Sequence, residues 1–180
     1  DSFMNDKKFA ELLKTAPAAK GMHHVYIGGL LEHTLSVARL VTELSKQYAG
    51  INKDLLLTGS ILHDMGKTKE LSYRAAFDYT DEGRLLGHII IGIQMLDEKI
   101  RGIEGFPEKT AMLLRHMIAS HHGLLEWGSP KVPLMREAIA FHIIDKLDAT
   151  IAICDRMLKG GTNCDGLTEW SKELGGPLYQ

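Results

Sequence analysis

The sequence has few of the features that mark secreted, membrane or strongly basic proteins. Its two cysteines, Cys154 and Cys164, form no CxxC pair and offer no disulfide framework, and no export signal is recognisable, which favours a reducing cytoplasm. No apolar run approaches the roughly 20 residues that a membrane span requires. Lysine and arginine number 21 against 23 aspartates and glutamates, so no overall basic charge attracts a polyanion. Any affinity for nucleic acid must therefore be local, or lie outside this chain.

The length and composition predict one folded domain over residues 1–180. A chain of 180 residues with 44% hydrophobic residues can bury a core of its own. No repeat or low-complexity tract divides it. The first residue is Asp1 rather than methionine, which favours an excerpt of a longer protein.

Apolar periodicity predicts helices over most of the chain. They cover about 30–48, 53–65 and 85–100, a segment opened by Pro107, and 134–158. The apolar residues expected on their buried faces are Leu31, Leu35, Ala38, Leu40, Val41 and Leu44 in the first helix, Leu85, Ile89, Ile93 and Leu96 in the third, Ala111, Leu114, Met117 and Ile118 in the fourth, and Met135, Ile139, Ile143, Leu147, Ile151 and Cys154 in the last. Only 73–80 is a candidate for extended structure. We therefore expect an all-α bundle with irregular loops.

The pair His63-Asp64 is the most informative pattern in the chain. It closes an apolar helical run and precedes Met65-Gly66-Lys67, so an imidazole and a carboxylate lie where a buried helix gives way to a turn. Further side chains that can complete a set around one or two divalent ions are His33, His88, His121, His122 and Asp145. Asp145 lies in an apolar helix, where an unpaired carboxylate is costly to bury, so a metal or cationic partner is expected. This set indicates metal-dependent hydrolysis of a phosphate ester.

The types of ligand predict the kind of metal. Mg and Ca prefer shells made only of oxygen, whereas Mn, Fe, Co, Ni and Zn accept nitrogen and oxygen together. We expect one or two such ions. The residues expected at the first position are His33, His63, Asp64 and Asp145.

The order His33, His63-Asp64, Asp145 resembles the H…HD…D signature of the HD-domain metal-dependent phosphohydrolases, over nearly the whole chain. More narrowly, the chain resembles the YhaM-type 3'-5' exoribonucleases. The segments that carry this closer resemblance are 16–20 (APAAK), 23–24 (HH), 28–34 (GGLLEHT), 63–67 (HDMGK), 79–83 (YTDEG), 86–88 (LGH), 121–123 (HHG), 126–128 (EWG) and 145–149 (DKLDA). The resemblance implies an HD-domain helical bundle, an OB-fold domain upstream of it in a longer chain, and a homo-oligomer.

The resemblance also implies a second metal position. In binuclear relatives the aspartate of the HD pair bridges two ions. Asp64 would then link the first position to an ion held by His88 with His121 or His122. Two ions about 3.5 to 4 Å apart can activate water and stabilise the leaving oxygen of a phosphodiester.

Several side chains are candidates for contacts with substrate. Lys67 follows the HD pair on a glycine-containing turn and can place its ammonium against a substrate phosphate, which would join it to His63 and Asp64 as a catalytic residue; a solvated surface lysine is the simpler alternative. His23 and His24 precede the first metal-bearing helix, and we expect them at the lip of the active site, where they would bind phosphate. A surface turn is the alternative for this pair.

Two further side chains are expected to act beside the metal ligands. Trp127 can form a wall on which a base stacks, although plain packing of a long loop explains it equally well. Asp148 lies three residues after Asp145 and can orient a ligand imidazole. His116 and His142 show no such partnership and are expected to be structural.

The function that these residues favour is a metal-dependent phosphodiesterase acting as a 3'-5' exonuclease on single-stranded RNA, with DNA as an alternative strand. The same ligand spacing also serves nucleotide and cyclic-dinucleotide phosphohydrolases, and some HD-type proteins with two irons are oxygenases. A non-catalytic nucleotide-sensing module is a third class, which the intact His63 and Asp64 disfavour. The expected partners are single-stranded nucleic acid or nucleotides, with no membrane.

Overall fold

The polypeptide folds as a helical bundle. The structure, a computed structural model, describes residues 3, 5–18, 26–72 and 78–180. The α-helices within these ranges are α1 (Lys7–Thr15), α2 (Gly29–Gln47), α3 (Lys53–Leu62), α4 (Lys67–Glu70), α5 (Asp81–Arg101), α6 (Glu108–Ser120) and α7 (Arg136–Lys159). A short 3-10 helix, Leu125–Trp127, lies between α6 and α7. The prediction of an all-α fold with irregular loops is confirmed.

Local capping signals explain where the helices begin. The side chain of Asn52 accepts a hydrogen bond at the start of α3, and Thr80 does the same for α5. Asp6 caps α1 in this way. The sequence analysis missed α1, because this helix has only nine residues and its apolar face, Phe9, Leu12 and Leu13, covers little more than one turn.

The extended segment is confirmed in part. The strands β1 (Leu71–Ser72) and β2 (Asp78–Tyr79) form an antiparallel pair, so the ladder begins two residues earlier than expected. Residues 73–77 lie outside the described residues. Helix α3 ends at Leu62 instead of 65, and residues 63–66 form a turn.

The core lies where α2, α3, α6 and α7 meet, while α5 packs against α4 and α6. Its large and fully buried apolar side chains include Leu30, Leu56, Met117, Ile118 and Phe141. The predicted buried face of α6, consisting of Ala111, Leu114, Met117 and Ile118, is confirmed in full.

The predicted faces of α2 and α7 are wrong in part. Val41 is buried, but the exposed fractions of Leu31, Leu35 and Leu40 are 38%, 48% and 36%. In α7 the exposed residues are Ile139, Ile143, Leu147 and Ile151, at 47%, 60%, 48% and 52%, and we call these four the α7 ridge. Both helices carry apolar residues on two sides. Their rotation is fixed because polar side chains, His33 and Asp148, face each other across the interface.

Helix α5 contains a break that periodicity did not predict. Ile89 and Leu96 are buried as expected, but Leu85 is 83% exposed. Gly87 has φ 72° and ψ 160°, a conformation that interrupts the helix and that glycine adopts more readily than other residues. Leu85 precedes this break, so it does not share the face of the residues that follow.

Cys154 and Cys164 are free cysteines. Among the helices of the described ranges, none combines the length and apolar character needed to cross a membrane.

Candidate metal centre

The turn between α3 and α4 carries the HD pair into the interior. His63 caps the end of α3 and begins the turn, and Asp64 follows it; their exposed fractions are 0% and 3%. Gly66 lets this turn approach α5, because a Cβ at Gly66 would lie 2.0 Å from the carbonyl oxygen of His88. The glycine therefore brings Asp64 and His88 together.

A first group of ligand atoms gathers around His33 on α2. Its Nε2 lies 3.3 Å from Nε2 of His63 and 3.1 Å from Oδ1 of Asp145. Oδ2 of Asp64 lies 3.2 Å from the same His63 nitrogen. His33, His63 and Asp64 form a set able to hold a metal ion, and the sequence-predicted Asp145 adds a fourth donor from α7.

A second group consists of imidazoles alone. His88 of α5, with His121 and His122 after α6, presents ligand atoms that lie within 4.8 Å of one another. All three were predicted from the sequence. The nearest atom of the first group is the other carboxylate oxygen of Asp64, Oδ1, at 3.5 Å from His88 Nε2 and 3.6 Å from His121 Nε2.

Asp64 thus lies between the two groups, with Oδ2 facing the first and Oδ1 facing the second. Oδ1 of Asp64 and Nε2 of His88 are buried, and both are without a hydrogen-bond partner in the described part of the chain. Unpartnered buried polar atoms are costly and call for an explanation such as a bound ion. The donor set and these two atoms fit divalent metal ions.

Every imidazole of the two groups has its Nδ1 paired, which turns Nε2 toward the centre. The partners are the Asp148 carboxylate for His33 at 2.7 Å, the Ser60 carbonyl for His63 at 2.8 Å, the Glu70 carboxylate for His88 at 3.2 Å, the Ile118 carbonyl for His121 at 2.7 Å and the Trp127 carbonyl for His122 at 3.0 Å. A second hydrogen bond of this kind fixes the tautomer and the ring orientation of a metal-binding histidine.

The first group contains side chains that are charged at neutral pH. Burial alone would lower the pKa of His33, but the carboxylates of Asp145 and Asp148 outweigh burial and raise this pKa to about 9. Burial would raise the pKa of Asp64, yet the nearby Lys67 and His63 hold it well below its usual value. The carboxylates are therefore ionised at neutral pH, as metal binding requires.

Two imidazoles of the second group, those of His121 and His122, are held uncharged. Burial and the neighbouring His63 lower the pKa of His121 well below its usual value. Burial and His88 also lower the pKa of His122. Uncharged imidazoles are the form that binds a metal ion.

The remaining predicted residues are placed as follows. Nζ of Lys67 lies 2.6 Å from Oδ2 of Asp64, and Lys67 is only 9% exposed, so a solvated surface lysine is excluded. Asp148 contacts His33 and accepts a hydrogen bond from Ser36. Trp127 is 46% exposed and contacts the second group through its carbonyl. His23 and His24 lie outside the described residues.

The sequence analysis missed three residues beside the centre. Glu70 pairs with His88, and Lys146 places its Nζ 4.8 Å from the centroid of the Trp127 ring. His142 donates from Nδ1 to the carbonyl of His121 at 3.0 Å, so it supports the second group although it was expected to be only structural. Residue spacing gave no signal for Glu70, whereas Lys146 could have been suspected because it follows Asp145.

The fold and the two ligand groups around an HD pair define a metal-binding helical domain of a known class. The family model described as the HD domain matches residues 30–150, and the chain belongs to the HD-domain family.

Among curated proteins, the chain is similar to those named 3'-5' exoribonuclease YhaM. It is 44% identical over 158 residues to that of Oceanobacillus iheyensis, and the alignment covers 85% of this chain and 48% of the relative. It is 41% identical over 157 residues to that of Bacillus subtilis, with 87% and 49% covered. The chain spans about half the length of these relatives. No solved structure matches the chain.

Proposed function

We propose that this chain is the catalytic domain of a metal-dependent phosphodiesterase that acts as a 3'-5' exonuclease on single-stranded RNA, with single-stranded DNA as a second candidate strand. The observation that carries the proposal is the position of Asp64, whose two oxygens face two separate groups of imidazoles. The name shared by relatives that are 41% to 44% identical supports RNA and the 3' end as the point of attack.

The proposed ligands follow from the two groups. Those of the first position are His33, His63, Asp64 and Asp145, and those of the second are His88, His121 and His122 with Asp64 shared. Divalent ions there would polarise the phosphoryl oxygens and lower the pKa of water. Imidazoles with few carboxylates suit Mn, Fe, Co, Ni or Zn. Elemental analysis of protein purified without chelator measures the identity and number of ions.

Lys67 is proposed to hold the substrate phosphate. Its buried ammonium is paired with Asp64 Oδ2, the oxygen that faces the first group. When that oxygen serves as a metal ligand, the ammonium becomes available to an anionic phosphate oxygen a short distance away. Lys67→Ala should lower kcat or raise KM by about 10- to 100-fold while the metal content is kept. Lys69→Ala, at an exposed neighbouring position, is the matched control.

Trp127 is proposed as a stacking surface for a base. Its indole ring is 46% exposed, and its centroid lies 6.1 Å from that of His142, which donates a hydrogen bond to the carbonyl of His121 in the second group. Lys146 over the ring supplies a positive charge for a phosphate. Stacking of a base on an aromatic side chain contributes about 1–3 kcal/mol. His23 and His24 stay predicted phosphate contacts at the lip of the site.

The stacking proposal can be tested by fluorescence, because the chain has only two tryptophans. A Trp170→Phe variant leaves Trp127 as the single reporter. A single-stranded oligonucleotide added to the metal-free variant should quench Trp127, and Lys146→Ala should weaken the quenching. Unchanged fluorescence at saturating oligonucleotide would assign Trp127 to loop packing.

The main experiment compares end-labelled RNA oligonucleotides with free and blocked 3' ends in the presence of Mn. We expect stepwise release of nucleoside monophosphates from the free 3' end, with Asp64→Asn inactive. Degradation that ignores the block would contradict the 3'-5' direction. Rapid hydrolysis of free nucleotides or cyclic dinucleotides, without cleavage of any oligonucleotide, would favour the phosphohydrolase alternative. Oxygen consumption by iron-loaded protein would favour the oxygenase, and nucleotide binding without turnover would favour the sensing module.

Three further predictions concern the setting of the domain. A cytoplasmic location stays a proposal that rests on the cysteine pattern and on the lack of a recognisable export signal in the sequence. An upstream OB-fold domain and a homo-oligomer stay proposals that rest on the resemblance to YhaM-type enzymes. Light scattering of the purified chain measures its mass in solution. Ile143→Asp, at the most exposed position of the α7 ridge, is the variant expected to lower that mass if two copies pack through this ridge.

A further inference from the structure

The break in α5 creates a new helix start directly before a proposed metal ligand. Gly87 leaves the helical conformation, and the helix resumes at His88. The first N–H groups of a helix have no acceptor within it and need one from elsewhere. The main-chain N–H of His88 therefore needs a hydrogen-bond acceptor from another segment. Nδ1 of its imidazole needs a partner as well if Nε2 is to face the metal.

Glu70 supplies both partners through one oxygen. Its Oε1 accepts a hydrogen bond from the main-chain N–H of His88 at 3.0 Å and lies 3.2 Å from Nδ1 of the same residue. Its side chain is 10% exposed, so water competes little for this oxygen. Glu70 comes from the end of α4, 18 residues earlier in the chain.

The main chain holds Glu70 firmly in place. Its carbonyl oxygen accepts a hydrogen bond from the N–H of Thr80 at 2.9 Å. Gly83 packs so closely that a Cβ there would lie 2.2 Å from that carbonyl. The start of α5 thus fixes the residue that caps its second half.

We propose that Glu70 is a positioning residue that fixes the imidazole of His88 with Nε2 facing Asp64 and caps the helix segment that begins at His88. The inference rests on the proposed role of His88 at the second metal position. A carboxylate on the outer nitrogen of a metal-binding histidine fixes its tautomer and makes it a stronger ligand. Nε2 of His88, buried and without a partner in the described residues, faces Oδ1 of Asp64 at 3.5 Å.

Three variants separate the two roles of Glu70. Glu70→Gln keeps an amide oxygen that can accept from the main-chain N–H but removes the charge. Glu70→Ala removes both partners. His88→Ala removes the imidazole and keeps the main-chain N–H. Comparing the three in the metal-free protein and during metal titration distinguishes a capping effect from a ligand effect.

We expect Glu70→Gln to weaken binding of the second ion by about 10- to 100-fold and to leave the first ion unaffected, as outer-sphere partners of metal ligands typically do. Its metal-free Tm should stay near that of the wild type. Glu70→Ala should weaken the second ion at least as much and also lower the metal-free Tm by about 2–4 °C, because a cap is lost. Second-ion affinity at the wild-type level in both variants would overturn the inference.

A metal-independent readout is the tautomer of His88 in protein labelled with ¹⁵N-histidine. The His88 signals are identified by their loss in His88→Ala. We expect the Nδ1-protonated tautomer in the wild type and a mixture of tautomers in Glu70→Ala. A mixture already present in the wild type would overturn the positioning role. If wild-type protein holds a single tautomer but binds only one ion, the proposed second metal position fails while the positioning of His88 by Glu70 stands.

Discussion

The two ligand groups share Asp64 but differ in charge. The first contains Asp145 and a histidine, His33, whose pKa is raised to about 9. The second contains His121 and His122, whose pKa values are lowered by burial, and His88, whose Nδ1 faces the carboxylate of Glu70. An ion at the proposed first position would therefore displace a proton from His33, whereas an ion at the proposed second position would meet His121 and His122 already uncharged. Asp64 is the one carboxylate among the proposed ligands of the second position, whereas the first also has Asp145, so the second position should depend more strongly on Asp64.

The largest expected effect comes from removing the shared charge. Asp64→Asn should lower the affinity of both positions by more than about a hundredfold, beyond the effect of an outer-sphere change, and abolish turnover. Elemental analysis and the RNA assay measure this. The control is Asp155→Asn at an exposed position of α7. If Asp64→Asn kept one ion at full occupancy, the two groups would not share this carboxylate.

The next largest effect is expected from removing a donor of the second group only. His88→Ala should reduce the number of bound ions from two to one and lower activity, because only the second group loses a donor. His63→Ala is the matched change in the first group. Calorimetric titration with Mn distinguishes the two variants, and loss of both ions in His88→Ala would show that the groups are not independent.

A smaller effect is expected from the carboxylate behind His33. Asp148 accepts from Nδ1 of His33 at 2.7 Å, so Asp148→Asn should weaken the first position by about 10- to 100-fold and leave the second unchanged. The measurement is the same titration. An equal loss at both positions would mean that Asp148 acts through the packing of α2 against α7.

The smallest expected effect is the release of one proton from His33 when the first metal ion binds. In the metal-free protein His33 is protonated below a pH of about 9, against a usual value of 6.5. This charge stabilises the metal-free fold fully below pH 6.5, and the stabilisation is lost as the pH rises through about 9. Metal binding needs the neutral imidazole, so the first ion should release about one proton near pH 7.5 and bind more tightly as the pH rises.

Titration calorimetry in two buffers of different ionisation enthalpy counts this proton. At the second position, His121 and His122 should release no proton, because burial already keeps them neutral. Equal proton release at both positions would contradict the difference in charge between the groups.

The parts of the site that lie within short motifs could be predicted from the sequence. His63 and Asp64 are adjacent, and His33 and Asp145 lie on helices whose bounds periodicity predicts within a few residues. The buried face of α6 was also predicted, because that helix has one continuous apolar side. Local pattern was sufficient in each of these cases.

The rest depends on contacts between distant segments. Helix α7 is apolar on two sides, so periodicity alone could not tell whether Phe141 or the α7 ridge faces the core. The contact of Asp148 with His33 turns the Phe141 side toward the core. Glu70 could not be assigned, because its role depends on the break at Gly87, which the apolar pattern around it conceals. A glycine directly before a candidate ligand is the signal that could have suggested such a break.

The way in which each imidazole is held also determines how mutations can damage this centre. His63, His121 and His122 take their orientation from main-chain carbonyls, which no substitution of a neighbouring side chain can delete. His33 and His88 depend on carboxylates instead. In a library of random single substitutions, the five ligand orientations should thus resist most changes outside the ligands themselves. Within the described residues, the exceptions should be Asp148 and Glu70, where one nucleotide change can misalign a ligand that is itself intact.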